Sequence, residues 1–247
     1  MHTFTGKTVY GGVAIGKIAV YKRETKEIVR EAVADVDAEV ARYEKAKAEA
    51  IEQLQGLYEK ALKDVGAENA VLFEVHQMML DDADYCESIE SIIREQGVNA
   101  EYAVSVTGAN FAEMFATMDD EYMKERAADV KDVSERLVNC LIGDSHGGIS
   151  GDEPVIVVAD DLAPSETVQL DKEKVLSFVT VHGSVNAHTA ILARTMAIPA
   201  LVNSTLTEAQ FADIDGKLGI VDGTAGVFYV DPDPETLETM QVKQQKD

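Results

Sequence analysis

The feature that most constrains this fold is a long stretch without proline, with helical apolar spacing near its start. The first proline is Pro154. Apolar residues recur at alternating steps of three and four from Val33, interrupted only at Lys47, and this spacing is typical of a helix packed on other helices. We therefore predict a long helix that closes at Gly66. Its stripe comprises Val33, Val36, Val40, Tyr43, Ala50, Leu54, Leu57 and Ala61.

Four further helices are predicted before the first proline. Their signals are capping residues at the start and glycine at the end. Asn99 is the expected cap of one helix, and Asp119 or Asp120 that of the next. The predicted spans are residues 69–82, residues 84–95 ending at Gly97, residues 100–118, and a last helix through Leu141 ending at Gly143. Together they predict an all-helical subdomain over residues 27–143.

The flanking segments have strand character. Residues 1–23 combine β-branched residues with glycines, and several short apolar runs follow residue 151. These runs are residues 154–158, 174–181, 198–202, 218–221 and 227–230, the last two forming a hairpin. We predict one discontinuous α/β domain (1–26 and 144–231) with the helical block inserted. Residues 145–151 are its exit linker, and residues 232–247 are a helical connector.

A strand, a tight loop and a short helix converge around His188. After the strand at residues 174–181, Gly183 and Asn186 supply turn chemistry, and no helix breaker occurs between Ala187 and Pro199. The start of such a helix presents unpaired N–H groups and the positive end of its dipole, which suits an anion. The same field favours a neutral, nucleophilic imidazole. The pattern predicts a phosphohistidine site.

Composition excludes several classes of function. The 247 residues carry a formal net charge of −23, which disfavours binding to nucleic acid or to anionic membranes and favours a basic protein partner. The sequence contains no signal-peptide pattern and no long uncharged stretch, so we expect a cytoplasmic protein without membrane insertion. Cys86 and Cys140 lack the spacing of a metal site or a disulfide framework.

Residues 183–194, GSVNAHTAILAR, resemble the phosphohistidine signature of enzymes that take phosphate from phosphoenolpyruvate. These enzymes are Enzyme I of the sugar phosphotransferase system, pyruvate phosphate dikinase and phosphoenolpyruvate synthase. The usual form is Gly-Gly-x-Thr-Ser-His. This chain departs from it at Ser184, Asn186 and Ala187.

Two further stretches, residues 119–132 and 163–170, resemble Enzyme I specifically, and the resemblance covers about the whole chain. It implies the N-terminal half of that protein, an α/β swivelling phosphohistidine domain with an inserted all-helical subdomain. It also implies that phosphoenolpyruvate and Mg²⁺ belong to a C-terminal barrel half. We therefore expect no cofactor or metal in this chain.

The resemblance assigns roles around His188. Thr167 would orient the imidazole, since a histidine nucleophile needs an acceptor for its other ring nitrogen. Thr189 and Asn186 are either phosphate donors or simple capping residues. Arg194 lies six residues after His188, about 240° around the helix, so a structural role is favoured over contact with the phosphoryl group.

Five of the eight methionines fall in the helical block among acidic residues. Such a surface suits a partner with an apolar patch ringed by basic residues, although a methionine stripe also occurs in ordinary core packing. In Enzyme I the corresponding helices bind the carrier protein HPr. The matching positions here are Glu74, His76, Met78, Leu80, Asp82, Phe115, Met123 and Arg126. Asn69 replaces a Lys that some members place near the active histidine.

The prediction is a phosphotransferase that carries a phosphoryl group on His188 and passes it reversibly to a histidine of HPr. One alternative is the swivelling domain of a pyruvate phosphate dikinase or phosphoenolpyruvate synthase. Another is a helical docking module with a silent histidine.

Overall fold

The computed structural model of the chain describes residues 1–23, 27–143, 149, 151–185 and 187–246. Its contacts divide it into two compact units. One, the α/β unit, comprises Met1–Arg23 and Gly147–Asp247, and the other, the helical unit, comprises Glu24–His146. Most of the predicted linker at residues 145–151 lies outside the described residues. The predicted α/β fold with an inserted helical subdomain is confirmed.

The α/β unit is built on one sheet of eight strands in the order β1-β8-β7-β3-β4-β5-β6-β2. The strands are β1 (His2–Thr5), β2 (Lys7–Tyr10), β3 (Val13–Val20), β4 (Val155–Ala159), β5 (Val175–Thr180), β6 (Ala200–Val202), β7 (Leu218–Asp222) and β8 (Val227–Val230). The central strands β3, β4, β5 and β6 are parallel, and the remaining pairs are antiparallel.

Gly6 closes this sheet on itself. It is the single residue between β1 and β2, yet these strands lie at opposite ends of the strand order. The two edges must therefore meet where the chain passes Gly6. A Cβ there would lie 3.2 Å from both Leu201 Cβ and Val202 O, so the close approach favours glycine. The closed sheet surrounds a core that includes Ile18, Ile156, Leu201 and Phe228.

Four helices complete the α/β unit: α6 (Pro164–Gln169), α7 (His188–Met196), α8 (Phe211–Ile214) and α9 (Pro234–Lys246). The sequence did not predict α8. The predicted C-terminal helix is present as α9 and packs on the sheet, since Lys243 Nζ lies 2.6 Å from the buried carboxylate of Asp222 and Gln244 Nε2 donates to Val13 O at 3.2 Å. It therefore groups with the α/β unit.

The helical unit contains α1 (Val36–Asp64), α2 (Ala67–Leu80), α3 (Ala83–Gln96), α4 (Ala100–Ala116) and α5 (Glu121–Ile142). Each matches a predicted helix, but the predicted start of α1 at Val33 is wrong. Asp35 caps the helix by accepting a hydrogen bond from Ala38 N at 3.1 Å, so α1 begins at Val36. Ala46 fills the buried position beside Lys47, and the apolar stripe is therefore continuous.

Asn99 occupies the predicted N-cap position of α4, but its side chain does not cap that helix. It instead accepts from Glu31 N at 2.9 Å and donates to Val29 O at 3.0 Å, which fastens the segment before α1. Glu39 Oε1 takes over the capping contact by accepting from Ala100 N at 3.0 Å. Asp120, one of the two predicted caps of α5, accepts from Tyr122 N.

Helices α4 and α5 approach each other closely at Gly108. A Cβ on Gly108 would lie 2.4 Å from Ser134 Oγ and 2.7 Å from Ser134 Cβ. Ser134 cannot easily turn away, because its hydroxyl is hydrogen bonded to Tyr85 OH at 2.7 Å in the buried interior. The absence of a side chain at residue 108 therefore sets the distance between the two helices.

We expect Gly108→Ala to lower the free energy of unfolding by about 1–3 kcal/mol, the usual cost of overpacking a core. Gly56→Ala is the matched control, since Gly56 lies in α1 with no atom within 4 Å of the added Cβ. It should raise stability by about 0.5–1 kcal/mol through helix propensity alone. Urea unfolding followed by circular dichroism measures both. Equal gains in the two variants would contradict the packing argument.

Candidate functional site

The carboxyl ends of three parallel strands define one edge of the sheet in the α/β unit. Val20 of β3 pairs with Val158 of β4, and Val158 pairs with Val179 of β5. The residues that follow these strands therefore lie along the same edge, which is the usual location of sites in sheets of this kind. Arg23 follows β3, Asp160 follows β4, and the loop to His188 follows β5.

His188 is the first residue of α7 and is half-buried. The N-cap residue Ala187 has an extended backbone, φ −64° and ψ 159°, and provides no side-chain cap. The first intrahelical hydrogen bond runs from Ile191 N to Ala187 O at 3.0 Å. The N–H groups of the first turn accordingly lack intrahelical acceptors and can bind an anion next to the imidazole.

Thr167 and Thr189 lie together in the interior, where each is at most 2% exposed. Their hydroxyl oxygens are 3.4 Å apart, and Thr167 Oγ1 donates to Ala163 O at 3.0 Å. The pair joins α6 to the first turn of α7. Because the Thr167 hydroxyl donates to a carbonyl, its oxygen is left to act as an acceptor, which is the property required to orient an imidazole N–H.

Arg194 supports the loop that precedes His188. It is exposed, and its Nη2 donates to Val185 O at 2.6 Å, which ties the loop to the last turn of α7. This contact fits the structural role expected from its position on the helix. Asn186, the remaining predicted residue of the site, lies outside the described residues.

Sequence reasoning missed an ionic cluster at the same edge. Arg23 Nε and Nη2 donate to the two carboxylate oxygens of Glu166 at 2.7 and 2.8 Å, and Nη1 donates to Asp160 Oδ1 at 2.5 Å. Hydrogen bonds to Glu166 raise the pKa of Arg23 above its ordinary value against the opposing effect of burial, and Asp160 adds to the rise. Glu166 Oε1 also accepts from Ala163 N at 2.9 Å, so the cluster fixes the start of α6.

Gly183 provides the turn predicted after β5. Its φ is +105°, a left-handed conformation that disfavours other residues. An added Cβ would also lie 3.4 Å from Asp161 Oδ1 and 3.6 Å from Thr180 Oγ1. The chain can therefore turn from the edge of the sheet toward His188 within a few residues.

The helical unit carries an apolar groove, which we name the methionine groove. It has a volume of about 520 Å³ and is lined by Met78, Met79, Met114, Phe111, Phe115, Tyr122, Arg126, Asp82, Asp84 and neighbouring residues of α2, α3, α4 and α5. Met78 is 72% exposed and Tyr122 58%. These large apolar surfaces, next to carboxylates, are unusual on a protein surface and typical of a binding site.

The structure separates the eight predicted partner residues into two groups. Glu74, Met78 and Asp82 are exposed, and Phe115, Met123 and Arg126 are half-buried. His76 and Leu80 are 0% exposed, so the prediction that they contact a partner directly is wrong. They occupy the inner face of α2, where His76 bonds to Asp129 and packs against Phe73.

Within the described part of the chain, no three His, Cys, Asp or Glu side chains are grouped to hold a metal ion. No helix in those residues is both long enough and apolar enough to cross a membrane.

Comparison with known proteins places this arrangement in a class. The family described as "PEP-utilising enzyme, N-terminal" matches residues 5–126, and "PEP-utilising enzyme, mobile domain" matches residues 151–226. The chain is thus similar to enzymes that use phosphoenolpyruvate, as the motif around His188 predicted. The second match contains both Thr167 and His188.

Relatives and solved structures narrow the class. The chain is 40% identical to a phosphoenolpyruvate-protein phosphotransferase of Bacillus sp. (strain S) and 38% identical to that of Bacillus subtilis (strain 168), over 96% and 98% of this chain and 42% of each relative. It resembles the NMR solution structure of Enzyme I (nEIt) with a TM-score of 0.81 and 36% identity, covering 98% of both chains. A structure of the N-terminal domain of Enzyme 1 - Nitrogen matches with a TM-score of 0.67 and 25% identity, over 97% of this chain and 98% of that one.

The chain therefore belongs to the Enzyme I family, and the predicted resemblance is confirmed. It spans less than half the length of the phosphotransferases it matches.

The start of α7 generates a stability prediction. Ala187→Ser should place a hydroxyl acceptor at the N-cap and raise the free energy of unfolding by about 1 kcal/mol. Ala187→Asn should give a similar gain and Ala187→Val none, since valine has no acceptor. Thermal and urea unfolding measure the series. A gain with valine equal to that with serine would show that packing, and not capping, limits this helix end.

Proposed function

We propose that this chain carries a phosphoryl group on His188 and exchanges it reversibly with a histidine of the carrier protein HPr, as part of a cytoplasmic sugar phosphotransferase system. The observation that carries the proposal is the position of His188. It opens a helix without a side-chain cap at the carboxyl edge of a parallel sheet, where the backbone N–H groups of the first turn have no intrahelical acceptors. The family and the relatives reported above support the same activity.

The chemistry is a transfer between two imidazoles. A ring nitrogen of His188 attacks phosphorus, the new P–N bond forms as the P–N bond to the donor histidine breaks, and the donor leaves as a neutral imidazole. Bonds of one kind form and break, so the exchange is nearly balanced. Catalysis then depends on in-line positioning and on stabilisation of a loose transition state by N–H donors and the helix dipole.

In this proposal, the buried pair Thr167 and Thr189 orients the imidazole of His188. Thr167 would accept a hydrogen bond from the imidazole N–H and so fix which nitrogen faces phosphorus. Thr189, adjacent to His188 and only 3.4 Å from the Thr167 oxygen, would relay that orientation or donate to the phosphoryl oxygens.

The methionine groove is the proposed docking surface for HPr. Its exposed centre at Met78 and its rim at Asp82 and Asp84 are complementary to an apolar patch surrounded by basic residues. The chain's net charge of −23 would add long-range attraction for such a carrier. The step that uses phosphoenolpyruvate and Mg²⁺ we assign to the part of the longer relatives that this chain does not span.

We expect His188→Gln to abolish phosphorylation while leaving the fold intact, because the side chain is the nucleophile and lies at a helix start. Incubation with phosphorylated HPr, followed by detection of acid-labile, alkali-stable phosphate, measures the transfer. His182→Ala is the matched control, since His182 is exposed in the same loop and should retain full phosphorylation. Wild-type labelling of His188→Gln would overturn the assignment.

We also expect charged residues of the methionine groove to affect mainly the rate constant for association with HPr, and apolar contacts to affect mainly the rate constant for dissociation. Asp82→Asn should mainly slow association and flatten its salt dependence, since steering raises association rates by roughly 10- to 1000-fold. Met78→Ala should mainly speed dissociation, at a cost of about 1 kcal/mol or more. Stopped-flow binding to HPr at several salt concentrations separates the two effects.

Asp82→Asn is suited to this test because asparagine also caps helices, so the contact from Asp82 Oδ1 to Tyr85 N at the start of α3 has a replacement. Glu95→Gln and Leu62→Ala serve as controls, as exposed residues of α3 and α1 that do not line the groove. If Asp82→Asn and Met78→Ala both bind at wild-type rates, HPr docks elsewhere.

A further inference from the structure

His76 is an ionisable side chain completely enclosed in the helical unit. It lies on α2 with 0% exposure, and its Nε2 is 3.0 Å from Asp129 Oδ1 on α5. Its Nδ1 faces Asp132 Oδ2 at 3.9 Å and has no hydrogen-bond partner among the described residues. A buried imidazole between two carboxylates is costly for a residue that only fills space, so another reason for its presence is needed.

The contacts of Asp129 connect this imidazole to the surface. One carboxylate oxygen, Oδ1, meets His76, and the other, Oδ2, lies 3.4 Å from Arg126 Nη1. Arg126 in turn places its guanidinium 4.5 Å from the ring centroid of Tyr122 and donates to its hydroxyl. Tyr122, Arg126 and Asp129 recur at steps of four and three, so they follow one face of α5.

This face ends in the methionine groove. Arg126 and Tyr122 both line it. Among the described residues that line the groove, Arg126 alone is basic, whereas Asp82 and Asp84 are acidic. The direction of this one guanidinium therefore determines where a partner's acceptor groups can be placed.

We infer that His76 is a positioning residue for docking, which holds Arg126 in the methionine groove by fixing the Asp129 carboxylate between them. The inference rests on the proposed function, because it concerns the same docking surface. An Arg–Asp pair three residues apart on a helix is weak by itself. Anchoring its carboxylate to a buried imidazole removes the rotation of Asp129, and a preorganised Arg126 then loses less conformational freedom when a partner binds.

The test compares two replacements of His76. His76→Leu removes the donor to Asp129, whereas His76→Gln retains an amide N–H at nearly the position of Nε2. We expect His76→Leu to weaken HPr binding by about 3- to 10-fold, in the lower part of the range of coupling between residues of one network, and His76→Gln to restore most of it. Isothermal titration calorimetry measures the affinity, and circular dichroism of each variant verifies the fold.

A double-mutant cycle distinguishes positioning from a general loss of structure. In an Arg126→Ala background, His76→Leu should cause no further loss of affinity, because the group that it positions is gone. An equal loss in both backgrounds, or wild-type affinity of a folded His76→Leu variant, would overturn the inference. If His76→Leu does not fold, Asp129→Asn takes its place in the same cycle, with the same two outcomes.

Measurements on the unmodified protein distinguish failure of this inference from failure of the proposed function on which it rests. Failure of the unmodified chain to bind HPr contradicts the proposed function. Normal binding and normal phosphorylation of His188, without coupling between residues 76 and 126, contradict the positioning role alone.

Discussion

The hydrogen bonds of Arg23 determine the geometry of the site in the α/β unit. Its guanidinium joins the end of β3 to Asp160 after β4 and to Glu166 in α6. Glu166 fixes the start of α6, α6 presents Thr167, and Thr167 meets Thr189 beside His188. His188, the proposed nucleophile, is therefore connected to the sheet through a short series of contacts.

Local signals in the sequence were sufficient for the five helices of the helical unit and for a helix that opens near His188, because caps and glycines act within one turn. Gly97 and Gly143 end α3 and α5 as predicted, and both have the left-handed conformation. The role of Arg23 could not be predicted from the sequence, because it depends on the pairing of β3 with β4 across the whole helical insertion. Such a pairing leaves no periodic pattern that a reading of neighbouring residues can detect.

The burial of His76 is a second feature that could not be predicted from the sequence. Helix α2 carries apolar residues on several sides, so its pattern does not identify the face that packs on α1 and α5. Met78, two residues from His76, is 72% exposed while His76 is enclosed. The resemblance placed His76 and Met78 in one partner-binding set, and it could not separate the buried residue from the exposed one.

Ala187 limits which hydrogen-bond donors are available at the proposed phosphohistidine site. The related signature has serine at this position, and the loss of that hydroxyl leaves the donors to backbone N–H groups and Thr189. Backbone donors are fixed by the helix and need no side-chain ordering, so they can stabilise a transferring phosphoryl group without a large entropic cost. They would also provide fewer strong contacts to a phosphoryl group resting on His188. The reversible exchange proposed for this site would be served by this balance, since tight binding of the carried group would slow its release.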